Sequence, residues 1–365
     1  MSKNTLKKRE NFWREKDVIY LTEEEKRETL PLWRECFPED SQEFLDYYYT
    51  VVAGKNRIAV IRKNGEIISM LHRNPYRLKV GEKVWDVDYL VAVATKKEER
   101  GKGAMATVLT KVLRDMNKEK RPLTFLMPAA EAIYAPYDFT YISREKRMVL
   151  EKENIEQVPV QESFSAYERA AEIMENCLQD NADVYTVRDE SYVSDLIKEL
   201  KSDFGSLEFL VKNEKTVGIQ AYWGREKREQ RLLYAPHEEC ICSAGRPLIM
   251  GRITNIFSFL TIFSLKERGR IVAELEVQDT WIAENNGVFL WTLTEQGSVL
   301  EKEKAQLQAA EKREDVYLKT DISQLMSWLM GYEKPKEIWK EISGETVGIL
   351  QKIRNMESVW IDEVV

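Results

Sequence analysis

The order of apolar and polar positions predicts alternating strands and helices in the first third of the chain. Apolar runs at residues 58–61 and 67–71 flank a polar Asn64-Gly65 turn, which is typical of a β-hairpin. A further apolar run at residues 89–95 predicts a buried strand. After a short charged loop, apolar residues return at helical spacing and predict an amphipathic helix. Its buried face comprises Met105, Val108, Leu109, Val112, Leu113 and Met116.

The loop between this strand and this helix predicts a phosphate-binding site. It reads Arg100-Gly101-Lys102-Gly103-Ala104-Met105. The first N–H groups of a helix have no partners within the helix, and the helix dipole adds partial positive charge. The glycines permit close approach, and the basic side chains add full charges. Neither the nucleotide P-loop sequence nor the dinucleotide fingerprint is present. The plainer alternative is a solvated basic turn before an ordinary helix.

The middle of the chain repeats part of this pattern. Residues 209–211 and 217–222 form a second predicted hairpin, and a helical pattern at residues 191–200 precedes it. No Arg-Gly-x-Gly follows this copy. We therefore predict a second, degenerate domain of the same type without a phosphate loop, although one hairpin can resemble another without any such relation.

The last third has a different pattern. The apolar run at residues 250–260 predicts a helix in part. Hairpin strands are predicted at residues 270–277 and 281–293, with a turn at Asn285-Asn286-Gly287. A helix at residues 321–330 and a closing strand at residues 358–361 complete the prediction.

Composition narrows the classes of function. A length of 365 residues predicts two or three domains, and an apolar fraction of 43% is sufficient for buried cores. The net charge of −7 argues against nucleic acid as the main partner and suits cationic, amine-bearing substrates. There is no apolar run of about 20 residues for a membrane span, and the polar N-terminus lacks a signal core. Four cysteines predict reduced thiols, and we expect a cytoplasmic protein without membrane association.

The glycine loop resembles the pyrophosphate loop of the GCN5-related N-acetyltransferases (GNAT family), written [Q/R]-x-x-G-x-[G/A], with Met105 as the departure. With the tandem hairpins and the C-terminal third, the chain resembles the Eis (enhanced intracellular survival) acetyltransferases. This resemblance implies an α/β (α+β) fold with two tandem GNAT-like mixed-sheet domains, followed by a sterol-carrier-protein-like α+β domain. We expect the catalytic domain at residues 1–150, the degenerate domain at 151–248 and the third domain at 249–365.

The resemblance also implies a site for acetyl-CoA. Its pantetheine arm would contact Val93, Ala94 and Thr95, and its pyrophosphate would contact Arg100, Gly101, Lys102, Gly103, Ala104 and Met105. Residues 133–139 resemble the family's Tyr-x-x-[Phe/Leu]-Gly-[Phe/Tyr] segment, whose first tyrosine is the general acid, and this role falls on Tyr134. Asp138 replaces the usual glycine, and Tyr137 is the nearest competitor for the role.

The general base has several candidates. His72 and His237 qualify by residue type, and Asp86 and Asp88 lie at the start of the strand before the loop. The resemblance implies a different base, the C-terminal carboxylate, which here belongs to Val365. Burial would raise the pKa of such a carboxylate and make it a stronger base.

The expected function is transfer of the acetyl group from acetyl-CoA to a primary amine, on an aminoglycoside-like polyamine or a protein lysine. The alternative is a non-catalytic carrier that holds an apolar ligand in its third domain. We expect no metal, because the Cys240-Ile241-Cys242 spacing with one nearby histidine does not supply the ligands of a zinc site. The resemblance further implies a homo-oligomer, with a hexamer as one option.

Overall fold

A large mixed sheet forms the centre of the protein in our computed structural model, which describes residues 12–150, 154–236, 240–302 and 315–363. In the first region the strands are β1 (Val18–Tyr20), β2 (Arg57–Lys63), β3 (Glu66–Val80), β4 (Lys83–Thr95), β5 (Leu123–Leu126) and β6 (Thr140–Leu150). The helices there are α1 (Leu30–Cys36), α2 (Gln42–Tyr47), α3 (Ala104–Lys118) and α4 (Glu131–Tyr134).

The predicted hairpin and the predicted amphipathic helix are both present in this region. β2 and β3 pair antiparallel around a turn in which Asn64 and Gly65 both have left-handed backbone, as such a turn requires. On α3, the predicted apolar face is buried from Val108 to Met116, while Met105 at the start of the helix is partly buried. This face packs on the sheet, so the glycine loop is fixed relative to β4.

The second region contributes a smaller sheet covered by two helices. Its strands are β7 (Glu156–Pro159), β8 (Val184–Thr186), β9 (Ser206–Lys212), β10 (Lys215–Trp223) and β11 (Glu229–Tyr234), and its helices are α5 (Phe164–Asn181) and α6 (Glu190–Ser202). The order in this sheet is β11-β10-β9-β7, whereas β8 joins the large sheet beside β3. Both the predicted hairpin and the predicted preceding helix are confirmed.

A long strand then returns the chain to the first region. β12 (Cys240–Ile253) lies between β5 and β6, so the large sheet has the order β1-β2-β3-β4-β5-β12-β6 among the described residues. Residues 250–253, part of a run predicted as partly helical, are therefore in a strand, and a helix begins only at residue 256. The predicted domain limit at residue 248 falls within β12, and the domain limits stay predictions.

The third region packs helices against its own sheet, of order β15-β14-β13-β16. Its strands are β13 (Arg270–Gln278), β14 (Gly287–Thr294), β15 (Gly297–Lys302) and β16 (Val316–Asp321), and β17 (Val359–Trp360) pairs with β8 of the large sheet. Its helices are α7 (Ile256–Leu260), α8 (Ile322–Leu329), α9 (Pro335–Ile338) and α10 (Gly344–Leu350). Residues 281–284, predicted as strand, instead belong to a loop with a 3₁₀ turn at Ala283–Asn285, and the strand begins only at Gly287, the last residue of the predicted turn.

Together the mixed sheets and their covering helices confirm the predicted α/β (α+β) class. None of the helices in the described ranges has the length and apolar character needed to span a bilayer.

Candidate active site

The strand before the glycine loop departs from both of its neighbours. Its pairing with β3 contains a bulge, in which Ala92 and Val93 of β4 lie opposite Leu71 alone, and Ala92 has a positive φ of 48°. On the other side, β4 pairs with β5 at Asp88 and Tyr89. Beyond Tyr89 the two strands separate. The backbone groups of the following residues of β4 therefore face an opening in the sheet instead of β5.

The glycine loop closes one end of this opening. Gly101 and Gly103 have φ values of 76° and 88°, in the left-handed region that glycine adopts without strain. Gly103 is the N-cap of α3, and the first backbone N–H to bond back is that of Thr107, which donates to the Gly103 carbonyl at 3.0 Å. The N–H groups of the first helical turn are therefore directed out of the helix end, as an anion site requires.

Charged side chains hold the loop in this position. Glu99 is buried and accepts hydrogen bonds from Lys63 at 2.6 Å and Lys102 at 3.2 Å. The hydrogen bond from Lys63 is the main reason that the pKa of Glu99 lies below its ordinary value. Arg100 donates through Nε to the Thr95 carbonyl at 3.0 Å, which ties the loop to the end of β4. Two cations therefore share the Glu99 carboxylate, while the guanidinium of Arg100 is held at the end of β4 beside the glycines.

A cavity of about 490 Å³ lies between the separated strand and this loop, and we call it the loop cavity. All nine residues predicted to contact acetyl-CoA line it, together with Tyr134. The structure therefore brings the predicted cofactor residues and the predicted general acid together. Lining residues that the sequence did not single out are Cys36, Phe37, Glu99, Ala106, Ala129, Ile133 and Trp281. Trp281 is the least expected, because it comes from the third region of the chain.

Tyr134 ends the short helix α4 at the wall of the loop cavity. It is buried, and burial raises the pKa of its hydroxyl to about 12. A 3₁₀ turn follows and ends at Asp138, whose φ of 62° is left-handed. Aspartate tolerates this conformation better than most residues, which explains how it replaces the family's glycine. Tyr137 also lines the cavity and is also buried, and burial raises its pKa as well.

A second cavity, of about 460 Å³, lies between the first and second regions, and we call it the interdomain cavity. Its wall includes five carboxylates (Asp86, Asp189, Asp195, Glu199 and Glu363) and three cationic side chains (Lys55, Arg77 and Arg121). Tyr47, Tyr76 and Tyr192 supply aromatic surface. Each of these carboxylates lies beside a cation: Asp86 beside Arg121, Asp189 beside Arg77, Asp195 beside Lys55, Glu199 beside Arg231 and Glu363 beside Arg188. The wall of this cavity is therefore made of ion pairs and aromatic side chains.

The last described residues reach the interdomain cavity from the third region. The buried Glu363 carboxylate accepts hydrogen bonds at 2.5 Å from Thr186 and from Arg188. Burial alone would raise the pKa of Glu363, but Arg188 and Arg231 outweigh burial and hold it below its ordinary value. The Tyr89 hydroxyl donates to the Glu363 carbonyl at 3.5 Å. The C-terminal segment is thus fixed against the central strand β4.

The other candidate bases that the structure describes, Asp86, Asp88 and His72, each have a charged or hydrogen-bonding partner. Asp88 is buried and bound by Arg73 at 2.7 Å, and Asp86 is an exposed residue 3.8 Å from Arg121. His72 is fully buried, donates to or accepts from the Tyr48 hydroxyl at 3.0 Å, and lines neither cavity. Val365 and His237 lie outside the described residues. Among the residues that are described, no three His, Cys, Asp or Glu side chains form a group that would hold a metal ion.

Comparison with known families identifies two parts of the chain. The family described as an acetyltransferase (GNAT) domain matches residues 17–142, and the sterol carrier protein domain matches residues 259–355. A comparison with curated protein sequences gave no match.

Solved structures share the fold over almost the whole chain. A probable N-acyltransferase from Enterococcus faecalis superimposes with a TM-score of 0.75 at 16% identity, covering 95% of this chain and 99% of that one. A GCN5-related N-acetyltransferase from Anabaena variabilis gives 0.73 at 15% identity, with 95% and 100% covered. Eis1 from Mycobacterium abscessus gives 0.68 at 11% identity, with 96% and 100% covered. The chain therefore contains a GNAT acetyltransferase domain followed by a C-terminal sterol carrier protein domain, and it is an acyltransferase.

Proposed function

We propose that the protein transfers the acetyl group of acetyl-CoA directly to a primary amine. The observation that carries this proposal is the composition of the loop cavity, where a separated strand, a helix N-terminus with two left-handed glycines and a buried tyrosine meet. The helix end would bind the pyrophosphate through backbone N–H groups. The exposed backbone of β4 would bind the pantetheine arm and polarise the thioester carbonyl.

Direct transfer requires two proton movements, one to the leaving sulfur and one away from the amine. The amine nitrogen attacks the thioester carbon, the carbon–sulfur bond breaks, and coenzyme A leaves after its sulfur gains a proton. Tyr134 is protonated at neutral pH, as an ordinary tyrosine is, and burial raises its pKa further, to about 12, so its hydroxyl is available as the donor. A free alkyl amine has a pKa of about 10, so a base must take its proton before attack.

The interdomain cavity is our proposed site for the amine. Its carboxylates would accept hydrogen bonds from a cationic acceptor, either a polyamine of the aminoglycoside kind or a lysine side chain. The strand β4 contributes to both cavities, through Asp86 to the interdomain cavity and through Val93, Ala94 and Thr95 to the loop cavity. An amine in the interdomain cavity would therefore approach the thioester along β4.

For the base we propose the carboxylate of Val365. Its support is the position of Glu363, two residues earlier, against β4. Two residues of chain span at most about 7 Å, so a carboxylate at position 365 is within reach of Tyr89. Asp88 is a weaker choice, because its charge is already paired with that of Arg73.

We also propose a homo-oligomer. Val149 and Ile241 are cross-strand neighbours on β6 and β12, and both are exposed, at 62% and 51%. An apolar pair of this kind is favourable to bury against a second copy. Sedimentation equilibrium should give a mass above that of one chain, and Val149→Glu should lower it.

The experiment that tests the function has two steps. Saturating acetyl-CoA should raise the melting temperature, because a ligand of the native state stabilises it. A panel of amines with acetyl-CoA should then release thiol. Acetyl-CoA binding without thiol release for any amine would contradict catalysis, and an unchanged melting temperature with acetyl-CoA would favour the carrier alternative. The core of the third domain gives the carrier no support, since aromatic side chains such as Trp291 and Phe289 fill it.

A further inference from the structure

We propose that the third domain holds the acetyl-CoA site in its working shape through a buried Arg252–Asp279 pair, and that Trp281 of the same domain binds the cofactor. This inference rests on the proposed function. Arg252 and Asp279 would be positioning residues, since neither lines the loop cavity, whereas Trp281 would touch the cofactor.

Arg252 holds the turn that follows Tyr134. It lies on β12 and is fully buried. Its Nε donates to the Tyr137 carbonyl at 2.7 Å, and its Nη2 donates to Asp279 at 2.6 Å. A carbonyl at the end of a helical turn has no partner within the turn, so the guanidinium supplies the partner. The backbone three residues after Tyr134 is thereby fixed to the third domain.

Asp279 organises the loop on the other side. One of its carboxylate oxygens accepts from the backbone N–H groups of Trp281 and Ile282, both at 2.9 Å, and the other accepts from Asn285 at 2.9 Å. Asp279 and Arg252 are both buried, and removal of one partner of such a pair leaves an uncompensated charge. Separation of Arg252 from Asp279 is therefore costly, so the pair keeps the turn after Tyr134 and the loop at Trp281 at a fixed distance from each other.

Trp281 is held on two sides and lines the loop cavity. Its indole Nε1 donates to the Pro136 carbonyl at 3.0 Å, and its ring lies 5.0 Å from the ring of Tyr137. Its own carbonyl accepts from Nε of Arg114 at 2.9 Å. Arg114 is on α3, the helix whose N-terminus forms the glycine loop. Trp281 therefore connects the turn of Tyr134 to the helix that would bind the pyrophosphate.

These contacts would align the hydroxyl of Tyr134 with the sulfur of bound acetyl-CoA. The turn receives hydrogen bonds on two successive carbonyls, that of Pro136 from Trp281 of the third domain and that of Tyr137 from Arg252 of β12. In a third contact, the Thr280 N–H donates to Asp138 at 3.4 Å. A proton donor displaced by about 1 Å can lose about 10²-fold in rate. Loss of the pair should therefore lower turnover through Tyr134 while cofactor binding continues.

A double-mutant cycle tests the positioning role in the full-length protein. Asp279→Asn and Tyr134→Phe are measured alone and together, with kcat and the KM for acetyl-CoA determined for each. We expect Asp279→Asn to lower kcat at least about tenfold and to raise the KM for acetyl-CoA, since Asp279 also holds the backbone of Trp281, while kcat should change little further in the Tyr134→Phe background. A merely structural role would lower kcat by the same factor in both backgrounds, and that result would overturn the proposal.

Trp281→Phe tests the cofactor contact and remains informative if Asp279→Asn does not fold. We expect coenzyme A affinity, measured by calorimetry, to fall about tenfold. Trp328→Phe is the matched control, because Trp328 is a buried tryptophan of the same domain that does not line the loop cavity. Equal affinity in Trp281→Phe and wild type would refute the contact. If the wild type binds coenzyme A but acetylates no amine, the proposed function fails while the binding comparison still stands.

Discussion

The first and second domains build the same hairpin but continue it differently. In the first, β4 follows the hairpin β2–β3, contains the bulge at Ala92 and leads into the glycine loop and α3. In the second, β11 follows the hairpin β9–β10 and packs tightly on it, since a Cβ on Gly218 would lie 2.5 Å from the Tyr234 carbonyl. The next described element after β11 is the strand β12 instead of a helix.

This difference shows what converts the hairpin sheet into a binding site. The first domain interrupts its strand pairing and places a helix N-terminus at the interruption. The second domain lacks that helix in the described residues, and its contribution is the wall of the interdomain cavity, through Tyr192, Asp195 and Glu199 of α6. One copy of the fold would bind the cofactor, and the other would shape the space for the acceptor.

The largest expected effect is loss of cofactor binding in Gly103→Val. Valine is strained at a φ of 88°, and its side chain would stand where the phosphate approaches the helix end. Calorimetry should give one coenzyme A site per chain in the wild type and no detectable coenzyme A binding in the variant. Two sites in the wild type would contradict the comparison of the domains.

Gly65→Val is the matched control. Gly65 also has left-handed backbone, with a φ of 84°, but it lies in the β2–β3 turn with open space around it. The Gly65→Val protein should have a lower free energy of unfolding than the wild type but the same affinity for coenzyme A. Unchanged affinity in a folded Gly103→Val protein would remove the loop from the cofactor site.

Tyr134→Phe should be the next largest effect. The change removes only a hydroxyl, so coenzyme A affinity should persist while kcat falls about 10²- to 10⁴-fold, the usual contribution of acid catalysis. Tyr137→Phe is the natural control, since Tyr137 lines the same cavity and is similarly buried. If steady-state kinetics show the large loss in Tyr137→Phe instead, the roles of the two tyrosines must be exchanged.

Removal of Val364 and Val365, or addition of a C-terminal tag, should lower turnover by about 10²-fold or more. Coenzyme A binding should persist, because the change removes the proposed base and leaves the cofactor site intact. Asp86→Asn and Asp88→Asn are the comparison variants, assayed with the same amine. Full activity of the tagged enzyme would return the base to the first domain.

The smallest effect concerns a residue that differs between the hairpins. The first hairpin buries His72, while the second buries Gln220, which does not titrate. Burial, with a smaller contribution from Lys26, lowers the pKa of His72 to about 3. Between that value and its ordinary 6.5, the unfolded chain binds a proton that the folded chain does not, so stability falls as pH falls.

Urea unfolding at pH 6 and pH 5 measures this effect. The free energy of unfolding should drop by about 1 kcal/mol more in the wild type than in His72→Gln over this interval. The second histidine, His237, is present in both proteins, so its contribution to the pH dependence cancels in the difference between them. Equal pH dependence in the two proteins would show that His72 is protonated in the folded state.

Features that depend on neighbouring residues could be predicted from the sequence. The hairpins, the helix α3 and the glycine loop each follow from a local pattern, and so does the short segment that contains Tyr134. The bulge at Ala92 has no such pattern, because it is defined by the partner strand β3.

Features that depend on distant partners could not be predicted. Arg252 was visible only as one polar residue in an apolar run, and its partner Asp279 is 27 positions away. The strand at residues 250–253 has the same apolar character as the helix after it, and only its place between β5 and β6 makes it a strand. Trp281 reaches the loop cavity because the loop around Asp279 turns back onto the first domain.

The place of β12 has a consequence for how the protein is made. During synthesis β5 and β6 leave the ribosome long before residue 253. The large sheet therefore lacks its strand β12 until the whole second domain has been synthesised. Until then the edges of β5 and β6 are open to other chains, which favours aggregation. A gene fragment that ends at residue 150 would preserve every residue of the glycine loop and still leave the sheet incomplete. Expression of the catalytic domain therefore requires the chain at least through β12.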